Sequence, residues 1–301
     1  MTAFVYVLLC LIWGSTWITI KIGLTAAPPL QTASLRFILA MLILTGIVMI
    51  KRYPYPKDLR TWLKVGYPGV WMYGLHYALI YFAQLHISSS LTAVLFASFP
   101  FWVAILSSFR LKEGRVRPLA WLGIAIGFVG VVLISYDQLK TSGDLFEGTL
   151  LALVATYAAA HGMILHKKFH AMDNIVVSAS IQMLFGGVLV LIAAFLFEDW
   201  SEFTVSVESI GSIVYLAILG TIVAFLSYYW LLARIKAVTA SMIAFITPLV
   251  AIFIGVLFFE ESLSLPIVIG TVLILSGVVL TIRRRRTAVP DAPEASSAIS
   301  S

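Results

Sequence analysis

The sequence predicts an all-α integral membrane protein of about ten transmembrane helices, arranged as two inverted five-helix repeats. Three observations carry this expectation. Apolar runs of about twenty residues follow one another along the chain. Basic residues gather in every second connection between those runs. The second half repeats the punctuation of the first.

Of the 301 residues, 61% are hydrophobic and 11% charged, and the mean hydropathy is +1.01. A soluble domain is usually about 25% charged. No soluble core of this size hides that much apolar surface, so lipid is the expected solvent. The net charge of +6 does not read as nucleic-acid binding, because Lys and Arg fall in short clusters between apolar runs.

The runs read as helices over 3–24, 31–50, 62–85, 88–109, 118–136, 148–166, 174–197, 209–232, 237–258 and 265–282. Pro28-Pro29, Pro54, Pro56, Pro118 and Pro266 stand at their starts or ends, where proline is tolerated. The first run is expected to stay on the chain. No basic cluster precedes it, and Trp13, Trp17 and Lys21 suit a signal peptide poorly, although Thr25-Ala26-Ala27 faintly resembles a cleavage site. Cys10, the one cysteine, allows no internal disulfide and reads as a small packed hydrophobe. Residues 287–301, rich in Ala, Ser and Pro, read as a disordered tail.

Charge sets the expected orientation. Lys51, Arg52, Lys57, Arg60 and Lys64 lie in one connection; Arg110, Lys112, Arg115 and Arg117 lie two connections later. Lys167-Lys168, Arg234 with Lys236, and Arg283 to Arg286 continue the alternation. Both termini are therefore expected on the cytoplasmic side of the cell membrane.

Residues 91–118 align with 239–266, placing Pro100 on Pro248, Glu113 on Glu261 and Pro118 on Pro266. Tyr81 falls on Tyr229, and after a one-residue slip Gly123 and Gly130 fall on Gly270 and Gly277. The repeats are expected over 1–137 and 138–286. Five is odd, so the second enters the membrane in the opposite sense.

Trp13-Gly14-Ser15-Thr16, then Lys21, Pro29 and Arg36-Phe37, resemble the opening of an EamA-type carrier of the drug/metabolite transporter superfamily. The Pro100…Glu113 and Pro248…Glu261 segments resemble its two repeats. The likeness spans about residues 3–283. It implies ten helices in two inverted halves, a central solute cavity, and export or exchange of amino acids and related metabolites. It does not imply one substrate.

Candidate solute contacts come from side chains set inside the spans. Trp13, Trp17 and Lys21 share one stripe of the first helix, and Tyr73, Tyr77 and Tyr81 share one of the third, with His76 and Gln84 nearby. Tyr157 and His161 stand one turn apart. Such a set suits an aromatic cavity with a few hydrogen-bonding groups. The plainer reading, an interfacial aromatic belt, fits Trp62, Trp121 and Trp200 better. Lys21 and Arg36 are the basic residues inside spans, suited to a carboxylate or phosphate on the solute, or to snorkelling toward headgroups. Pro100 and Pro248 are expected mid-helix, freeing the carbonyls of Phe96 and Ala244. The candidate substrate-binding set is therefore Trp13, Trp17, Lys21, Arg36, Tyr77, Tyr81, Phe96, Pro100, Tyr157, His161, Tyr229, Ala244 and Pro248.

Gly123, Gly127 and Gly130 read as close helix packing or a homodimer contact. His166 and His170 lack further ligands, and Lys167 and Lys168 oppose a cation, so no metal is expected. No Walker, HExxH, CxxC or GxSxG motif is present, so neither a cofactor nor a named catalytic site is expected. A membrane-embedded enzyme acting on lipid-like substrates is the alternative, but it calls for clustered Asp, Glu or His near one face. A sensory or structural protein calls for a long loop or soluble domain. None of the fourteen acidic residues falls inside a span, so transport is expected either to be facilitated or exchange without a proton, or to be proton-linked through His161, which shares a face with Tyr157.

Overall fold

The computed structural model of the chain describes residues 1–87, 92, 95–111, 116–134, 145–169, 174–247, 249–250 and 265–282. Among them the secondary structure is helical throughout. The helices are α1 (Thr2–Gly23), α2 (Pro29–Ile50), α3 (Leu59–Gly69), α4 (His76–His86), α5 (Phe99–Arg110) and α6 (Pro118–Ile134). They continue with α7 (Leu145–Phe169), α8 (Ile175–Phe197), α9 (Val207–Ala217), α10 (Ala224–Leu232), the short α11 (Ala237–Ser241) and α12 (Leu265–Ile282). A π turn over Val70–Leu75 joins α3 to α4, and another over Ile218–Val223 joins α9 to α10. Five helical stretches are long and apolar enough to cross a membrane: Thr2–Gly23, Pro29–Ile50, Phe146–Phe169, Ile175–Phe197 and Val207–Leu232. Shorter apolar helices accompany them at Pro118–Gly130, Ala237–Thr247 and Val268–Thr281.

Side chains near the chain ends of these elements stop or start them. Asp58 accepts from Thr61 N at 2.8 Å, and Asn174 accepts from Val176 N at 3.0 Å, each satisfying an orphan first-turn donor. Ser206 and Ser209 form a reciprocal cap on α9. The start of α2 is capped from another helix. Glu198, just past α8, accepts Leu30 N at 2.7 Å and Gln31 N at 2.8 Å. Burial outweighs these two bonds and pushes the Glu198 carboxyl above its ordinary value.

Glycines at repeat-equivalent positions pack against one another. A Cβ on Gly123 would meet the Gly277 carbonyl at 2.6 Å, and one on Gly130 would meet that of Gly270 at 2.6 Å. Each glycine thus touches the repeat counterpart of the other, as a pseudo-two-fold axis between antiparallel helices demands. This glycine face of α6 is spent on α12 of the same chain. Likewise α1 packs on α9 and α10, while α7 packs on α3 and α4. The spacing from Val70 to Ile218 equals that from Tyr81 to Tyr229, so the two π turns are repeat counterparts as well.

Pro100 differs from its expected place. It stands in the first turn of α5, after a turn at Ala97-Ser98, rather than in mid-helix. Proline lacks the N–H that a helix interior uses, and a first turn does not need it. The chain before α5 closes locally, with Ser98 N and Oγ both on the Leu95 carbonyl at 3.0 and 2.7 Å. Pro248, and with it the expected second proline break, lies outside the described residues.

Candidate functional site

The four residues of the Trp13–Thr16 segment each make a different contact. Gly14 lets α1 approach the chain at Val250, since a Cβ there would meet that side chain at 2.6 Å. Ser15 hydrogen-bonds the Tyr215 hydroxyl of α9 at 2.6 Å. Trp13 packs edge-on against Tyr228 (5.0 Å) and Phe225 (5.5 Å) of α10. Thr16 donates to the Trp13 carbonyl at 2.7 Å and lines a cavity with Trp13 and Trp17.

That cavity lies among α1, α4, α10 and the Ala240–Thr247 segment. Its walls are largely aromatic, as expected of a small-molecule site. Polar groups are few and specific. Trp13 Nε1 and the Tyr228 hydroxyl are buried without a hydrogen-bond partner among the described residues. His76 Nδ1 lies 2.9 Å from the Ala155 carbonyl, which can only accept, so the proton sits on Nδ1 and Nε2 is left an acceptor. Thr247 donates to the Ala244 carbonyl at 3.3 Å, satisfying the group that Pro248 cannot serve.

Arg36 stands one side chain behind this cavity and is fully buried (0% exposed). Its Nε donates to Thr221 Oγ1 at 2.7 Å, and Nη2 donates to the Gly220 carbonyl at 3.2 Å and to the Tyr77 hydroxyl at 3.4 Å. The guanidinium carbon lies 4.6 Å from the centroid of the Tyr77 ring, which lines the cavity. Nη1 has no hydrogen-bond partner among the described residues. Arg36 therefore grips the second π turn, with every partner neutral.

Below the cavity, toward the end at which α1 begins, the bundle is closed by polar side chains. Tyr73 and Tyr229 share a 2.6 Å hydrogen bond. The Tyr229 hydroxyl also donates to Gln182 Oε1, and its ring stacks on His166 at 3.7 Å. Gln182 Nε2 lies 2.9 Å from His166 Nδ1.

Of the sequence candidates, Trp13, Trp17, Tyr77, Phe96 and Ala244 line the large cavity. Tyr229 lines a second cavity. Lys21 is exposed at the end of α1, and Tyr81 and Pro100 are buried away from the cavity wall. Tyr157 and His161 do meet, at 3.4 Å, but beside Arg110 (3.2 Å from His161 Nδ1) and Trp71 rather than in the cavity. Thr221, Tyr228 and Gln182 were not singled out from sequence. The repeat alignment offered a signal for Tyr228, which adjoins Tyr229; nothing in composition marks Thr221.

The sequence model described as the EamA-like transporter family matches residues 1–136 and 146–283. An uncharacterised transporter of Archaeoglobus fulgidus is 30% identical over 273 residues, covering 91% of this chain and 95% of that protein. A protein of Escherichia coli K12 named "Probable amino-acid metabolite efflux pump" is 27% identical, covering 91% of this chain and 92% of its own. A solved crystal structure aligns with a TM-score of 0.75 at 17% identity over 93% of this chain and 97% of its own, a likeness of fold alone.

Proposed function

Because the chain belongs to the EamA-like transporter family, we propose that it is a ten-helix secondary carrier that moves a small amphipathic metabolite, an amino acid or related compound, by alternating access. The observation that carries the reading is the aromatic cavity backed by Arg36, a buried cation that makes no ion pair among the described residues. An unpaired charge at membrane depth is costly, roughly 2.5–3.5 kcal/mol on insertion scales, and by default marks a site. A solute carboxylate reaches that cation when the Tyr77 side chain between them turns aside, Trp13 Nε1 and the Tyr228 hydroxyl supply neutral donors, and the rings take the apolar body. The relative named as an amino-acid metabolite efflux pump supports export or exchange. The repeats are read as 1–137 and 138–286; the expected tail, 287–301, lies outside the described residues.

The polar layer of Tyr73, Tyr229, Gln182 and His166 supports a closed state at the α1-start end of the bundle, read as cytoplasmic from loop charge. Flux into and out of proteoliposomes, with amino acids, nucleobases and sugars as candidates, tests the function. Saturable counterflow of one class is the expected result; none across the panel contradicts it. Single cysteines at Ser142, Glu202 and Ala288, with Cys10 replaced, test the orientation. An impermeant thiol reagent outside labels the first two and spares the third; labelling at Ala288 contradicts it.

A further inference from the structure

His76 differs from its counterpart in the second repeat, and the fold does not demand the difference. It follows the first π turn directly, with its N–H on the Trp71 carbonyl five residues back. At the spacing that puts Tyr229 on Tyr81, the residue after the second π turn is Ala224, whose N–H likewise reaches the Leu219 carbonyl five residues back. Ala224 is buried and closes that turn with no side chain beyond Cβ. The joint is therefore built with or without a histidine. His76 is buried as well, and it lines the central cavity.

The ring is held as an acceptor. Nδ1 donates to the Ala155 carbonyl at 2.9 Å, so the remaining nitrogen, Nε2, offers a lone pair. The hydroxyls on the cavity wall lean the same way. Thr16 and Ser241 give their hydrogens to the Trp13 and Val238 carbonyls, at 2.7 and 2.8 Å, and keep lone pairs. The aromatic faces around them attract a cation as well. Acceptors and ring faces together complement an ammonium group. The Tyr77 ring lies 4.6 Å from the His76 ring and 4.6 Å from the Arg36 guanidinium carbon. Acceptor and buried cation thus stand one aromatic ring apart. That separation suits an ammonium and a carboxylate carried on the same carbon, not charges at the two ends of a solute.

Resting on the carrier reading above, we propose that His76 is a specificity-determining residue, whose Nε2 accepts a hydrogen bond from the α-ammonium of a zwitterionic solute while the carboxylate goes to Arg36. His76 then separates α-amino acids from two classes of analogue. A carboxylate compound without an ammonium leaves Nε2 without a donor. An amino acid with its charges at opposite ends of a ring cannot meet both groups at once. Loss of a hydrogen bond to a charged group weakens binding by about ten- to hundredfold.

Binding is read by tryptophan fluorescence of the full-length protein in nanodiscs, since Trp13 and Trp17 line the cavity. The ligands are phenylalanine, phenylpropionate and 4-(aminomethyl)phenylacetate, the last an isomer of phenylalanine with its charges at opposite ends. Wild type is expected to bind phenylalanine at least about tenfold more tightly than either analogue. His76→Phe is expected to bind phenylalanine no better than phenylpropionate, with its affinity for phenylpropionate kept. His76→Gln presents an amide oxygen near the place of Nε2 and is expected to regain the preference. Equal affinity for the three ligands, binding of none of them, or a preference undiminished in His76→Phe overturns the proposal. The wild-type comparison needs no variant and decides the matter if the variants do not fold. Counterflow in proteoliposomes separates this site from the carrier reading. Preferential binding without counterflow contradicts the carrier and keeps the site. Counterflow of phenylalanine and phenylpropionate with equal KM keeps the carrier and contradicts the site.

Discussion

The two π turns occupy equivalent places in the two repeats and are held by different means. Val70–Leu75 is clasped backbone to backbone. A Cβ on Gly186 of α8 would meet the Gly69 carbonyl at 2.6 Å and Tyr73 Cβ at 2.5 Å, and one on Gly162 of α7 would meet Met72 N at 2.9 Å. Ile218–Val223 is instead gripped by a side chain, through Arg36 on Thr221 and Gly220. Glycine contacts fix a geometry and leave nothing to exchange. Hydrogen bonds from a guanidinium can be traded for those of a ligand. Under the proposed function, the same local distortion, which recurs at functional sites, is a packed joint in one repeat and a ligand-responsive one in the other.

The largest expected effect separates the two directly. Arg36→Gln removes the charge and is expected to lower counterflow roughly ten- to hundredfold, as befits loss of hydrogen bonds of 1.5–3 kcal/mol to a charged group. The folded protein should remain monodisperse by size exclusion. If transport persists at the wild-type rate, the second turn is a packed joint like the first. Gly186→Ala forces a Cβ into Tyr73 and the Gly69 carbonyl, and overpacking of this kind costs about 1–3 kcal/mol. Its thermal midpoint should fall while flux per folded molecule is kept; the reverse pattern would break the contrast.

Thr221→Val takes away the acceptor of Arg36 Nε and leaves the other bonds, so flux is expected to drop about tenfold, near the lower end of a charged hydrogen bond. A loss as complete as that in Arg36→Gln would mean that the turn, not the cation, is what solute reads. The smallest effect concerns the cap on α2, the helix that carries Arg36. Because burial raises the Glu198 carboxyl, its contribution to stability is complete below the ordinary carboxyl value of 4.5 and fades as pH rises through the raised folded value. The stability of wild type relative to Glu198→Gln should therefore fall from pH 4 to pH 7, as read by thermal unfolding. A difference that grows with pH would show that the two backbone bonds outweigh burial.

Much of the helical layout was legible because lipid imposes it. An apolar run must be about twenty residues long to cross, and no other pattern meets that demand. The runs expected at 3–24, 31–50, 174–197 and 265–282 are found at Thr2–Gly23, Pro29–Ile50, Ile175–Phe197 and Leu265–Ile282. The π turns were not legible, since a π turn uses the same apolar residues as the α-helix around it and differs only in which carbonyl each N–H reaches. The cavity was legible in part. Trp13, Trp17 and Tyr77 stand inside their spans, where an aromatic belt does not account for them, and all three line it. His161 is the repeat counterpart of Trp13, yet it meets Arg110, the last residue of α5, whose charge reads as a connection residue in the sequence. That Arg36 reaches Thr221 across the bundle is a matter of tertiary distance, which helical periodicity does not encode.

The central claim is that Arg36 confers recognition of an anionic group on an otherwise aromatic cavity. Counterflow in proteoliposomes with phenylalanine, phenylpropionate and phenethylamine, in wild type and Arg36→Gln, tests it most directly. The account predicts exchange of the two carboxylate compounds by wild type, little exchange of the amine, and loss of carboxylate exchange in Arg36→Gln. Exchange of phenethylamine at the rate of phenylalanine, or carboxylate exchange undiminished in Arg36→Gln, would contradict it.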